Sequence, residues 1–183
     1  MTVVMLERED CETPFGVVSL VARGEQLCHV AFPSCRQKAA GWLQRRFGTV
    51  TYRPGGMAAA AARALGDYLN GRLDALERIP LDPGGSPFQR QIWEAVRRIP
   101  PGHTMAYSEI ARCLDNPGAV RAVGRANGDN PIPLFIPCHR VIGVQGRLTG
   151  FGGGLETKRW LLAHEGVRPA PQPSKPGAML PFG

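Results

Sequence analysis

Apolar positions in the first eighty residues follow strand-like and helix-like spacing in turn. Residues 13–32 hold two short apolar runs around Arg23-Gly24-Glu25, a pattern that predicts two strands joined by a turn. Apolar side chains recur at helical spacing over 35–47 and 58–70, and the run 50–52 between them suits a third strand. The pattern predicts a small α/β unit that acts as a scaffold, because its sequence contains no obvious chemistry.

Helical spacing dominates the chain after residue 86. Ser86 followed by Pro87 is typical of a helix N-terminus, because the serine side chain can cap the first turn. Two short helices are predicted over 107–114 and 119–126, with a tight turn at 115–118. This order is typical of a helix-turn-helix, in which the second helix contacts nucleic acid.

Clusters of proline and glycine indicate how the chain is divided. Pro80 to Gly85 is such a cluster and marks our preferred boundary. We therefore predict a scaffold domain over 1–80, a linker over 81–85 and a second domain over 86–168. The remaining residues, 169–183, contain five prolines and are predicted to be a disordered tail.

Three prolines exclude a helix between Asn130 and Arg140, because each lacks an N–H group and has a fixed φ angle. The apolar residues between these prolines predict a short, buried, extended run. Cys138 and His139 are adjacent near the end of this stretch, and on a regular strand their side chains would face opposite ways. If both act at one site, Cys138 must lie on a turn just beyond the run.

The net charge of +7 is concentrated in the second half of the chain. Residues 86–168 contain 11 Lys and Arg against 6 Asp and Glu, whereas residues 1–85 contain 10 against 9. Arg121 and Arg125 are four residues apart on the second of the paired helices, so they share a face. A basic surplus in this half favours a polyanionic partner.

The five cysteines are odd in number and irregular in spacing, which fits neither a disulfide framework nor a paired zinc motif. Cys11, Cys28 and His29 could belong to a metal site, but four ligands are not apparent. Ordinary packing is the favoured explanation, and no metal site is predicted.

The apolar runs are too short to span a membrane. Charged residues also follow the N-terminus too early for a signal peptide. We therefore expect a cytoplasmic protein that has no contact with a membrane.

A thiol beside an imidazole can form an activated nucleophile, because the base takes the proton and the thiolate attacks. An acidic residue is then needed to orient His139 and to stabilise its charged form. Glu165 is our candidate, and His164 and Glu156 are alternatives from the sequence alone. An inert buried thiol is the ordinary explanation for a single cysteine. The local cysteine signature of a papain-like protease is missing.

The segment Ile136-Pro137-Cys138-His139-Arg140-Val141 resembles the acceptor motif of the O6-alkylguanine-DNA alkyltransferases, or methylated-DNA–protein-cysteine methyltransferases. The resemblance covers roughly residues 86–167, in the right order and at close spacing. The other matching segments are 86–89 with Trp93, 107–111, 121–124, 130–131 and 160–166. The first half resembles the family more loosely, in Thr13-Pro14-Phe15-Gly16 and the strand-turn-strand that follows.

The resemblance implies a fold and a reaction. The first domain would be an α/β domain with a small antiparallel sheet and helices, ribonuclease H-like. The second would be mostly α-helical, with a helix-turn-helix of the winged-helix kind. Such a protein binds duplex DNA through the minor groove and flips the damaged base into a pocket. It transfers the alkyl group of O6-alkylguanine irreversibly to its own cysteine, and whether O4-alkylthymine is also a substrate stays open.

The resemblance also implies the roles of single residues. Cys138 would be the acceptor, His139 the base acting through a water, and Glu165 the group that holds His139. Asn130 would support the active-site turn, and Tyr107 would assist flipping and donate a proton to the leaving guanine.

Further residues are assigned to the DNA and to the base pocket. Arg121 would fill the vacated stack, and Tyr107, Arg125 and Ala122 would also contact DNA. The substrate pocket would be lined by Thr149, Val141, Phe151 and Gly152. Phe151 stands where some members carry tyrosine, so the lesion preference stays open.

The resemblance implies no cofactor, because each molecule reacts once. The partner is double-stranded DNA with alkylated bases. We expect a monomer, and cooperativity on DNA stays open. Two other classes remain as alternatives. One is an alkyltransferase-like protein that binds alkylated DNA without reacting, although such proteins lack the acceptor cysteine. The other is a helix-turn-helix regulator, although no separate effector domain is visible.

Overall fold

Most of the chain is described by a computed structural model, which covers residues 3–168. The predicted disordered tail, 169–183, lies outside the described residues. Within 3–168, no helix is both long and apolar enough to cross a membrane.

A four-stranded sheet with two helices forms the first half. Its elements are β1 (Val4–Cys11), β2 (Val18–Arg23), β3 (Gln26–Ala31), α1 (Arg36–Phe47), β4 (Val50–Arg53) and α2 (Gly56–Leu69). The strand order is β3-β2-β1-β4. The predicted hairpin, third strand and two helices are therefore confirmed, each within a few residues.

The expectation of an antiparallel sheet is wrong for one strand, because β4 pairs with β1 in parallel. The other two pairings, β1 with β2 and β2 with β3, are antiparallel. The reason is the connection: α1 lies between β3 and β4 and returns the chain to the far edge of the sheet. There β4 runs in the same direction as β1, as a helical crossover allows. The sheet is mixed.

Strand β1 was not predicted, because its centre is highly charged. Glu7 is nevertheless buried. Its carboxylate accepts hydrogen bonds from Arg53 Nη2 (2.9 Å) and from the backbone N–H of Met57 (2.7 Å) in the first turn of α2. A helix N-terminus stabilises a carboxylate through its free N–H groups and its dipole. The charges in β1 therefore anchor the start of α2.

Four helices and two short strands form the second half. They are α3 (Pro87–Arg97), β5 (Met105–Ala106), α4 (Tyr107–Cys113), α5 (Val120–Gly128), β6 (Val141–Ile142) and α6 (Leu155–His164). The predicted Ser86 cap is confirmed, because its Oγ accepts from the N–H of Gln89 (3.2 Å). The helix pair α4 and α5 packs together as a helix-turn-helix requires.

The larger of two hydrophobic core clusters in residues 3–168 joins both halves. It includes Leu20 and Leu65 from the sheet and α2, and Ile92, Val123 and Leu161 from the second half. The division at 81–85 stays a prediction. Two backbone hydrogen bonds connect the segment 81–85 and the second half to the edge strand β3. Asp82 N–H donates to Leu27 O (2.9 Å), and Val30 N–H donates to Pro131 O (2.8 Å), close to the site.

Residues 131–140 are all buried, as the sequence predicts, but they do not form an extended run. The chain reverses between Pro133 and Ile136, where Leu134 has a φ angle of 77°. The N–H of Ile136 donates to Ile132 O (2.9 Å) across this reversal. Prolines leave few N–H groups for a strand ladder, so a tight reversal satisfies those that remain.

Candidate active site

Cys138 opens a single helical turn, Cys138–Arg140, directly after the proline-rich reversal. The N–H of Cys138 donates to Ile136 O (2.7 Å), and that of Arg140 donates to Pro137 O (2.9 Å). The predicted position of Cys138, on a turn just past the apolar stretch, is confirmed. Its side chain is nearly buried, with 6% of the residue exposed.

Asn130 braces the reversal that holds Cys138. Its Nδ2 donates to Ile136 O (2.9 Å), and its Oδ1 accepts from the N–H of Ile132 (2.9 Å). These two bonds connect both ends of the reversal through one side chain. Asn130 also opposes the rise in the pKa of Cys138, because its side chain favours the thiolate. The predicted supporting role of Asn130 therefore has a structural basis.

Glu165 is the centre of a buried network around His139. Its Oε1 contacts His139 Nε2 (2.9 Å) and accepts hydrogen bonds from Tyr68 Oη (2.8 Å) and Arg140 Nη2 (2.8 Å). Its Oε2 accepts from Arg140 Nε (2.9 Å). Arg140 is fixed further by a bond from Nη1 to Ile99 O (2.5 Å). The structure thus brings Glu165 to the imidazole of His139, and its role in catalysis stays a prediction.

The other two candidate partners of His139, Glu156 and His164, contact other residues. Glu156 is exposed and pairs with Arg159 in the first turn of α6. The Nε2 of His164 contacts Tyr68 O (2.8 Å), and the ring stacks on Trp160. Of the three candidates, the structure brings Glu165 to His139.

Burial and charge set the protonation of the site. Burial raises the pKa of Cys138 to about 11, although Asn130 and Lys158 act in the opposite direction. Burial lowers the pKa of His139, although Glu165 opposes this effect. For Glu165, burial alone would raise the pKa, but hydrogen bonds and charges of His139 and Arg140 lower it to about 2. At neutral pH the site therefore holds a thiol, a neutral imidazole and a carboxylate.

The tautomer of His139 follows from this state. An ionised carboxylate can only accept, so Nε2 carries the proton that faces Glu165. The other nitrogen, Nδ1, is buried and has no hydrogen-bond partner among the described residues. Nδ1 is consequently the basic nitrogen that is available for proton transfer.

A cavity between the two halves opens onto Cys138. Its lining includes Asn130, Phe151 and Gly152 from the second half and His29 and Trp42 from the first. The ring of Phe151 meets His139 edge to face, with centroids 6.4 Å apart. Of the four predicted pocket residues, Phe151 and Gly152 line this cavity.

The other two predicted pocket residues occupy different positions. Val141 is fully buried in β6. Thr149 is exposed, and its Oγ1 contacts Tyr107 Oη (3.0 Å). The structure thus joins Thr149 to a residue predicted to assist base flipping.

The predicted DNA-binding residues lie on one side of the helix pair. Arg121, Ala122 and Arg125 are exposed on α5 and line an open groove with the start of α3. Tyr107, at the start of α4, lies between α5 and Thr149, because its ring is next to Gly124 and its hydroxyl meets the Thr149 hydroxyl. Thr149 in turn lies two residues before Phe151, which lines the cavity at Cys138.

Comparison with known proteins gives the family of this chain. The family model described as 6-O-methylguanine DNA methyltransferase, DNA binding domain, matches residues 87–167. A methylated-DNA–protein-cysteine methyltransferase from Mycolicibacterium paratuberculosis is 42% identical over 165 residues, which are 88% of this chain and 93% of the relative. This chain belongs to the methylated-DNA–protein-cysteine methyltransferase family.

Other relatives of the family match to different extents. A methylated-DNA–protein-cysteine methyltransferase from Salmonella typhimurium is 50% identical over 113 residues, 62% of this chain. That match spans 64% of the Salmonella protein's length. The crystal structure of Mycobacterium tuberculosis OGT in complex with DNA is 38% identical, with a TM-score of 0.73. The match covers 91% of this chain and 96% of that chain.

Several site residues were not predicted from the sequence. Arg140 lies within the segment that resembles the acceptor motif of the family, but the resemblance implied no role for it. Tyr68 lies within the predicted helix 58–70, and its hydroxyl reaches Glu165 across 97 positions of sequence. Asn127 is buried on α5 with its Nδ2 3.5 Å from Cys138 O. The adjacency of Arg140 to His139 was the available signal, whereas Tyr68 could be found only from the packing of both halves.

Lys158 is the other residue that was missed. It lies on α6, is fully buried, and donates from Nζ to Val141 O (2.7 Å) and Thr149 O (3.1 Å). Burial lowers its pKa to about 8, although the charge of Cys138 raises it. Its positive charge in turn favours the thiolate of Cys138. The ammonium group of Lys158 therefore binds the carbonyl groups at both ends of the segment 141–149, and its charge stabilises the thiolate of Cys138.

The cysteines of the first half take part in ordinary packing and hydrogen bonds. Cys28 is fully buried, and its Sγ donates to Val21 O (3.2 Å). Cys11 contacts Glu12 O (3.6 Å). Within 3–168, no group of three or more His, Cys, Asp or Glu side chains is arranged to hold a metal ion.

Proposed function

We propose that this chain repairs alkylated DNA by moving a methyl or larger alkyl group from O6 of guanine to Sγ of Cys138. The observation that carries the proposal is the arrangement at the cavity. Cys138 lines it, and the adjacent His139 is held by an ionised Glu165 at 2.9 Å. Membership of the methylated-DNA–protein-cysteine methyltransferase family supports the same reaction. O4-alkylthymine is a possible second substrate.

The transfer step begins with the thiol, because a buried Cys138 with a pKa of about 11 is protonated at neutral pH. His139 takes this proton at Nδ1 through a water, and Glu165 stabilises the resulting imidazolium. The sulfur then attacks the alkyl carbon in line with the C–O6 bond. An S–C bond forms as the C–O6 bond breaks, and the electron pair of that bond stays with guanine.

Guanine leaves with one proton gained, so the thiol proton and the alkyl group have exchanged places overall. Tyr107 donates a proton to the leaving base and regains one from water, as the His139 imidazolium releases the thiol proton to water. The hydroxyl of Tyr107 contacts Thr149, next to the glycine-rich stretch that carries Phe151 into the cavity, and this position supports the role. The product is a thioether, which the site has no group to cleave. Each molecule therefore reacts once, and no cofactor is required.

DNA binding is assigned to α4 and α5. The second of these helices enters the minor groove, with Arg121, Ala122 and Arg125 exposed along the groove beside α3. Arg121 occupies the space left by the flipped base, and its charge suits the negative potential of the minor groove. Extrusion costs a few kcal/mol and less for a weakly paired, damaged base. The surplus of positive charge in residues 86–168 supports phosphate contacts.

The two halves divide the work. Residues 86–168 bind DNA and carry the acceptor, with a helix-turn-helix of the winged-helix kind. Residues 1–80 form a ribonuclease H-like domain, and 81–85 is the linker. The protein acts in the cytoplasm as a monomer, and the duplex with its alkylated base is its partner. Because Phe151 lacks a hydroxyl, recognition of guanine O6 depends on other donors at the pocket.

Mass spectrometry tests the proposal directly. The chain is incubated with a duplex oligonucleotide that contains one O6-methylguanine, then digested. We expect one methyl group on the peptide that contains Cys138, with no more than one equivalent per chain. Cys138→Ser should abolish transfer and leave the affinity for the duplex largely unchanged. DNA that is bound while Cys138 stays unmodified would instead favour the alkyltransferase-like or regulatory alternatives.

A further inference from the structure

The glycine-rich segment 149–154, here called the pocket loop, carries Phe151 and Gly152 into the cavity at Cys138. Four of its six residues are glycine, which gives the free chain many conformations. A loop of this composition needs external contacts to keep one shape. Its carbonyl groups show where those contacts are.

Three carbonyl groups of the pocket loop accept side-chain hydrogen bonds. Lys158 donates to Thr149 O (3.1 Å), and Thr157 donates to Gly153 O (2.7 Å). Both of those donors belong to α6, in the same half as the loop. The third carbonyl, that of Gly152, is bonded differently.

Gly152 O accepts from two adjacent residues of the first half. Ser34 Oγ lies 3.2 Å away and Cys35 Sγ lies 3.1 Å away. Both belong to the short helical turn Pro33–Cys35, which precedes α1. Two donors on one carbonyl, more than a hundred residues distant in sequence, fix the loop at the point where it lines the cavity.

A ring contact strengthens the same junction. Phe32 meets Phe151 edge to face, with centroids 5.3 Å apart. A Cβ on Gly153 would lie 3.0 Å from Phe32 Cγ, so the absence of a side chain there allows this approach. Phe151 in turn contacts the ring of His139. A continuous set of contacts therefore leads from the first half to the base at the active site.

We propose that Ser34 and Cys35 are positioning residues for the alkyl transfer proposed above, because they hold the pocket loop in its reactive shape. The first half then influences the rate of the chemical step through the shape of the pocket loop. The inference rests on the proposed function, but it concerns different residues and a different measurement.

The test is a single-turnover measurement of methyl transfer against DNA concentration. It compares the wild type with Ser34→Ala, Cys35→Ala, the double variant, and the combination Ser34→Ala with Cys35→Ser. In the double variant we expect the limiting rate to fall by about tenfold, since two weak hydrogen bonds are lost. The half-saturating DNA concentration should stay unchanged. Each single variant should lose about threefold, and the combination of Ser34→Ala with Cys35→Ser should return the rate to that level, because its hydroxyl restores one donor.

Reaction with free O6-benzylguanine should slow by the same factor, because the loop shapes the pocket and does not bind the duplex. Cys11→Ala is the matched control, since its thiol contacts Glu12 O, away from the loop. Three results would each overturn the inference. They are a wild-type rate in the double variant, no recovery with Cys35→Ser, and a change confined to the half-saturating DNA concentration. If the double variant unfolds, the single variants, which each keep one donor, decide the same question. A wild-type chain that fails to label would overturn the proposed function as well.

Discussion

The substitution Glu165→Gln tests the centre of the buried network, because it removes a charge while keeping the shape of the side chain. Glu165 accepts from Tyr68 and from two nitrogens of Arg140, and it contacts His139. The amide of glutamine would place a donor against these donors. Arg140, only 5% exposed, would keep its charge but lose its negatively charged partner.

Two estimates give the size of the effect. A carboxyl group that titrates at about 2 in place of 4.5 gains about 3 kcal/mol of stabilisation in its ionised form. Breaking a buried ion pair by removing one partner costs about 3–5 kcal/mol. We therefore expect Glu165→Gln to lower the free energy of unfolding by about 3 kcal/mol at pH 7, a large share of a typical domain's stability.

The assay is urea unfolding followed by tryptophan fluorescence at several pH values. Because the folded-state pKa of Glu165 lies below its unfolded value, its contribution is complete above about pH 4.5 and disappears as the pH falls towards 2. The difference between wild type and variant should shrink over this range. Glu156→Gln is the matched control, because its exposed pair with Arg159 should contribute at most about 1 kcal/mol. Equal losses for both variants at pH 7 would refute the reasoning.

Two further predictions concern cations at the DNA face and beneath the pocket. Arg121→Ala should slow repair of duplex DNA more than reaction with the free base, because Arg121 acts on extrusion. Arg125→Ala, on the same exposed face, is the comparison. Equal losses of Arg121→Ala on both substrates would contradict the role. Lys158→Met should move the pH profile of methyl transfer to higher pH, because the buried cation lowers the pKa of Cys138. Arg147→Met removes an exposed cation and should leave the pH profile unchanged. Coincident profiles for the wild type and both variants would exclude the effect.

The helices and the hairpin could be predicted from the sequence, because their signals are local. Ser86 with Pro87 marks the start of α3, and the turn after α4 is encoded by Asp115 to Gly118. Strand β1 was missed because Glu7 looks like a surface residue until the N-terminus of α2 is placed against it. The parallel pairing of β4 likewise depends on where α1 crosses the sheet.

The candidate site shows the same division between local and distant information. The thiol and imidazole are neighbours in the chain, and the motif around them indicated the reaction. Tyr68 and Lys158 could not be assigned from the sequence, because their roles follow from burial and from carbonyl or carboxylate groups elsewhere. A tyrosine on an apolar helix face and a lysine on a polar one have no local signal that distinguishes them from ordinary packing and solvation.

The ten consecutive buried residues 131–140 limit how the protein can be engineered for new substrates. Substitutions in this segment should often destabilise the fold, since its side chains are buried and tolerate changes of volume poorly. The pocket loop offers more freedom, because most of its residues are exposed. Variation at 149–152 is therefore the better starting point for labelling tags that accept larger alkyl groups.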